Sequence, residues 1–202
     1  MKTLSETRRA RILEVAQAIF LSQGYALASM ANIASAVSCS KATLYNYYAS
    51  KDDLFVAVLH QFSAAAFDQV FEPLASVISL RKDLEAFGRR YLRALHRPEV
   101  VSAHRMAVAE ATSSAVGQLL YVNGPEKGWG QIVNCILAWQ EQGWVRLEID
   151  VRRAAWHMKA LLESESWLEC LLGAPGADLL LSDDAIAAQA HFAVDVWLRA
   201  YQ

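Results

Sequence analysis

Fourteen residues, Ser38 to Lys51 (SCSKATLYNYYASK), gather the side chains of this chain best suited to contact another molecule. Ser40 stands where an N-cap belongs and Ser50 repeats the role ten residues later, so the spacing predicts a two-turn helix between them. Leu44 and Tyr48, four residues apart, share one face of that helix. At 3.6 residues per turn, Ala42, Thr43, Tyr45 and Asn46 turn the other way. Folding alone gives little reason for a short helix with a polar outer face. Its hydroxyls, its amide and Lys41 suit phosphates and base edges, and the free N–H groups at a helix start attract anions.

Two helices are needed to hold such a segment. Ile12, Val15, Ala16, Ile19 and Phe20 follow the i, i+3, i+4, i+7, i+8 pattern behind a capping box of Thr3 and Glu6, and Gly24 is placed to stop this helix in a left-handed conformation. Ser29 caps a second helix, whose inner stripe is Met30, Ile33, Ala34 and Val37. With the polar helix they make a compact three-helix head of the helix-turn-helix kind.

At these residues the chain resembles the TetR/AcrR family of bacterial regulators: Gly24-Tyr25, Ser29-Met30, Ile33-Ala34, Ser40-Lys41, Thr43-Leu44-Tyr45, Tyr47-Tyr48 and Ser50-Lys51. A second resemblance, to the AefR-like branch, runs through Pro98-Glu99-Val100, Arg105, Glu110-Ala111, Gly124-Pro125 and Gly143. The family resemblance implies that Thr43 and Asn46 reach base edges, that Tyr45, Tyr47 and Lys51 hold phosphates, and that Lys41 joins them. Ser29 and Ser40 are caps first and share a phosphate second, while Ala42 offers an apolar contact such as a thymine methyl. Members usually carry Gly where this chain has Ser38, and often Gly at Ala42. A non-glycine residue in a left-handed turn costs about 1–2 kcal/mol, so either Ser38 carries that strain or the turn is shaped differently. Tyr48 in place of the commoner Phe adds a hydroxyl, expected to face water at the rim.

The 202 residues are 54% hydrophobic, with nine Gly, four Pro and no alternating β-rich segment, so the expected class is all-α: a DNA-binding head over 1–50 and a larger helical body for effector binding and dimerisation over 51–202. The net charge of −2 is unevenly distributed. Residues 1–51 carry six Lys/Arg against two acids, leaving the remainder strongly negative, which favours docking by the head. Three separated cysteines, Cys39, Cys135 and Cys170, without ligand spacing suggest a reducing cytoplasm, and neither a signal-peptide run nor a membrane-length apolar run is present.

In the body, Ser50 with Asp53 opens a helix that places Leu54, Val58 and Phe62 inward and ends or bends at Pro73. Helices follow over Lys82–His96 and from Pro98 to about Ser113, then a loop at Asn123-Gly124-Pro125. The next helix carries Trp129, Ile132, Val133, Ile136, Leu137 and Trp139 and closes at Gly143. A helix capped by Asp150 runs through Trp156 and Trp167 to Leu172, a Gly-Ala-Pro-Gly break covers 173–176, and Ser182 caps the last helix, to Tyr201. These last two helices are apolar on more than one face, as a homodimer interface requires. A dimer reads two half-sites of one duplex, whereas one small helix grips poorly alone.

The resemblance also implies an effector site among the body helices. Phe87, Tyr91, Met106, Tyr121, Trp139 and Trp156 are its apolar candidates, with His104, Arg105 and Glu110 to orient a polar group. The function expected is thus a repressor released from operator DNA by a small apolar or aromatic ligand. The alternative is a DNA-binding dimer governed by a protein partner or by redox chemistry at Cys39. An enzyme is not expected: Asp52-Asp53 and Asp183-Asp184 sit at helix starts, His191 and Asp195 lack further ligands, and no phosphate-binding loop or nucleophile motif occurs. No cofactor or metal is implied.

Overall fold

The structure is a computed structural model that describes residues 5–67, 70–71, 74, 78–111, 116–174 and 181–202. Among them it is all-α, with no strand: α1 (Glu6–Leu27), α2 (Met30–Ala36), α3 (Lys41–Tyr45), α4 (Lys51–Phe67), α5 (Leu80–Leu95), α6 (Pro98–Glu110), α7 (Val116–Tyr121), α8 (Lys127–Glu141), α9 (Val151–Glu163), α10 (Trp167–Leu172) and α11 (Asp183–Tyr201). Thr3, Pro73, Ser113, Pro175, Gly176 and the side chains of Phe62 and Asn123, all used in the sequence reading, lie outside the described residues. Two compact units divide the chain: 1–62 with 105–123, and 63–104 with 124–202.

In the first unit the helix starts are set by local hydrogen bonds. Ser29 Oγ accepts from Asn32 N–H, Ser40 Oγ from Thr43 N–H and Ser50 Oγ from Asp53 N–H, and the Ser50 hydroxyl also donates to Asp53 Oδ2, a side-chain bond beside the cap. Ile12, Ala16, Phe20, Ile33, Leu44, Leu54 and Phe55 form the buried interior. Phe20, Tyr25 and Phe55 meet ring to ring, with centroids 4.7 to 6.1 Å apart.

Three details of the first unit differ from expectation. Gly24 breaks the helix as expected, but at φ 77°, ψ 168°, a conformation open to glycine alone rather than the left-handed helical one, and one more turn follows to Leu27. The polar helix is shorter than two turns, because α3 stops at Tyr45 and Asn46 becomes its C-cap. The Tyr48 hydroxyl does not face water at the rim. Tyr48 is 6% exposed and its oxygen is buried.

In the second unit, α11 packs on α5 and α9, and α8 packs on α9. Gly88 permits the α5–α11 approach, since a Cβ there would lie 3.1 Å from Ala190 Cβ and 3.0 Å from Leu162 Cδ2. Two buried polar side chains of this core are paired: Trp197 Nε1 donates to the Ala154 carbonyl at 2.8 Å and Gln189 Nε2 to that of Leu162 at 2.7 Å. Two sequence expectations fail. The segment at Asn123-Gly124-Pro125 is not a loop but a π-helical turn, Val122–Glu126, joining α7 to α8. The helix capped by Asp150 ends at Glu163, and α10 starts afresh at Trp167 after Ser164–Ser166, so apolar spacing on both sides had concealed a turn. Asp150 and Ser182 cap as expected, accepting from Arg153 N–H and Ala185 N–H.

Candidate nucleic-acid interface and ligand site

The turn between α2 and α3 aims the polar helix. Cys39 N–H donates to Ala34 O and Ser38 N–H to Ser35 O, and Ser38 lies at φ 60°, so the serine itself carries the left-handed strain. Leu44 is wholly buried, which pins α3 by one side chain. Lys41, Ala42, Tyr45 and Asn46 are then exposed. Thr43 is half-buried, its Oγ1 2.8 Å from Ser40 Oγ, and the Lys41 ammonium stands 5.8 Å from the Tyr45 ring centre. Ser29, half-buried, and Ser40, exposed, keep their hydroxyls on their caps.

Two of the supposed phosphate ligands are engaged within the protein. Tyr47 is half-buried, and its hydroxyl accepts from Ser5 N–H at 3.3 Å. Lys51 donates to the Tyr25 carbonyl at 2.9 Å and the Ala28 carbonyl at 3.1 Å, and its ammonium lies 4.0 Å from the Tyr25 ring centre. The Tyr25 hydroxyl bonds Asp52, and burial with that carboxylate pushes its pKa far above the usual phenol value. Lys51 and Asp52 thus clamp the start of α4 to the end of α1. Sequence reasoning missed this junction, although Gly24-Tyr25 and Ser50-Lys51 had both been singled out.

The ligand candidates fall in both units. In the second, Phe87 and Tyr91 join Phe67, Phe71 and Trp129 in an aromatic cluster with centroids 5.2 to 6.4 Å apart. The buried Tyr91 hydroxyl donates to Glu163 Oε1 at 2.5 Å, while Glu163 Oε2 accepts from Lys159. His104 Nδ1 lies 2.8 Å from the Val100 carbonyl. A carbonyl only accepts, so Nδ1 carries the proton, and burial lowers the imidazole pKa and keeps the ring neutral. Trp139 belongs to another cluster, against Trp197, and Trp156 is half-buried. Arg105 and Tyr121, both exposed, and the half-buried Met106 lie in the first unit. Large apolar side chains also stand in solvent on α10 and α11: Leu168 is 64%, Leu172 73% and Phe192 57% exposed.

Comparison with known proteins agrees with this architecture. Residues 12–58 match the pattern of bacterial regulatory proteins of the tetR family, and residues 82–202 match that of the AefR-like transcriptional repressor C-terminal domain. The HTH-type transcriptional regulator UidR of Escherichia coli K12 is 34% identical over 102 residues, 46% of this chain and 51% of UidR. The chain therefore matches about half the length of this curated relative. A TetR-family transcriptional regulator from Mesorhizobium loti superposes with a TM-score of 0.83 at 25% identity, over 99% of each chain. The flavonoid-responsive regulator FrrA gives 0.81 at 25% identity, over 98% of each.

Proposed function

Because this chain belongs to the TetR family of transcriptional regulators, we propose that it is a homodimeric repressor that holds operator DNA and releases it when a small apolar or aromatic ligand binds the body. The exposure of Lys41, Ala42, Tyr45 and Asn46 on a helix pinned by the buried Leu44 carries this reading. Asn46 and the half-buried Thr43 read base edges, Tyr45 and Lys41 hold the backbone, and Ser29, Ser40 and Tyr47 lend phosphate contacts from the rim. Lys51 acts by fixing α4 rather than by reaching DNA. The head over 1–50 binds the operator, and the body over 51–202 binds the effector and the second copy.

Leu168, Leu172 and Phe192 support dimerisation through the last elements of the chain, since solvent-facing apolar side chains of this size favour a covering partner. A flat aromatic effector suits the Phe87, Tyr91 and Trp129 cluster, and a structural neighbour bears the name of a flavonoid-responsive regulator. Ligand binding shifts the population away from the spacing of heads that fits DNA, with α4 as the lever. A hundredfold loss of occupancy needs about 2.7 kcal/mol of differential affinity. No helix among the described residues is long and apolar enough to cross a membrane, and we place the protein in the cytoplasm with the genome.

Selection of bound fragments from random DNA should yield an inverted repeat, and aromatic compounds screened against that complex should release it. Fragments with no common sequence would refute the operator reading. A complex that no compound disturbs would refute the effector reading alone.

A further inference from the structure

We propose that the first unit holds a small-molecule site of its own, a groove between α1 and α4 that takes an apolar carboxylate. The groove has a volume of about 550 Å³, and every residue lining it belongs to the first unit. Its α1 side uses positions at the i, i+3, i+4, i+7 spacing, from Glu6 through Arg9 to Leu13, and its α4 side runs from Asp53 through Val56 and Ala57 to Gln61. Leu13, Val56 and Ala57 are half-buried and give the walls an apolar surface.

Tyr48 makes this more than a crease between helices. It lines the groove and is 6% exposed, and its buried hydroxyl faces the Arg9 side chain, which can only donate, so the phenol proton has no acceptor among the described residues. Burial raises the phenol pKa, so the group stays a donor. Phe would fill the same core volume, so packing does not account for the oxygen. An orphaned buried donor is unfavourable unless something accepts from it. Arg9, with its guanidinium carbon 5.5 Å from the Tyr48 ring centre, adds further donors.

A donor-rich floor between apolar walls selects a ligand with one accepting, anionic group on an apolar body. The acids nearby limit its charge. Asp53 already accepts from Ser50, and exposed Glu6 repels a polyanion, so a nucleic-acid backbone does not fit while a single carboxylate does. Occupancy would reach the reading head directly, because Tyr48 N–H donates to the Leu44 carbonyl of α3.

Calorimetric titration of the full-length protein with benzoate, and with benzyl alcohol as the uncharged control, tests the site. Saturable benzoate binding is expected, weakened at least about tenfold in Tyr48→Phe and in Arg9→Gln. Tyr48→Phe should still bind operator and melt no lower than the parent. Equal benzoate affinity in both variants would overturn the proposal, as would benzyl alcohol binding as tightly as benzoate, or no saturable binding up to about 10 mM. If Tyr48→Phe does not fold, Arg9→Gln decides alone.

Discussion

The head and the body of this chain use their conspicuous side chains in opposite ways. In the head, polar and aromatic residues on α3 stand outside while one leucine, Leu44, anchors the helix. In the body the conspicuous residues turn inward: Phe87, Tyr91, Trp129, Trp139 and Trp197 are all buried. An outward polar residue with no folding role is informative about function, because little else explains it. A buried aromatic ring is not, because the same ring builds a core and lines a ligand pocket.

The sharpest test of that contrast is Phe87→Ala. As pure core it should cost about 3–5 kcal/mol in denaturant unfolding, whereas a loss below about 2 would mark the ring as lining a space that water or ligand already enters. Next in size comes Lys51→Met, which strips the donor from two backbone carbonyls and should destabilise the protein by about 1–3 kcal/mol. Operator binding measured well below the melting range should then change little. A large loss of affinity with unchanged stability would return Lys51 to the outward class.

Asn46→Ala should do the reverse, altering base preference by about 1–3 kcal/mol at one position of each half-site while leaving the melting temperature in place. Binding selections on random DNA measure the first and calorimetry the second. The smallest effect is that of Ser38→Gly, which should raise stability by at most about 1 kcal/mol by relieving the φ 60° backbone. A lower melting temperature would mean that the serine side chain contributes something its backbone angle conceals.

Much of the architecture was legible because its signals are local. Ser29, Ser40, Ser50, Asp150 and Ser182 announce helix starts by bonds that reach no more than three residues ahead. Inner stripes such as Ile12, Ala16 and Phe20 follow from the helical repeat. Where the reading failed, distance or ambiguity was the cause. The turn at Ser164–Ser166 lies between Leu162 and Trp167, two apolar positions that a continuous helix would also supply. Lys51 looks like a surface cation until the fold brings Tyr25 and Ala28 beneath it, from more than twenty residues away. Tyr48 lies inward with Leu44, on the face that the helical spacing gives both, but the setting of its hydroxyl depends on α1 and α4 together. The ligand candidates mixed inward rings such as Phe87 with exposed Arg105 and Tyr121, because residue type alone does not separate those settings.

The inward turn of Lys51 also bears on how the protein should respond to ionic strength. Association with a duplex is driven largely by the ions that basic groups liberate from it, and each such contact steepens the logarithmic dependence on salt by about 0.9. An ammonium that gives two of its three N–H groups to carbonyls is poorly placed to liberate any. Each protomer should therefore show a gentler salt dependence than a count of its N-terminal basic residues suggests, so that more of its selectivity rests on the fit of α3 to the base edges.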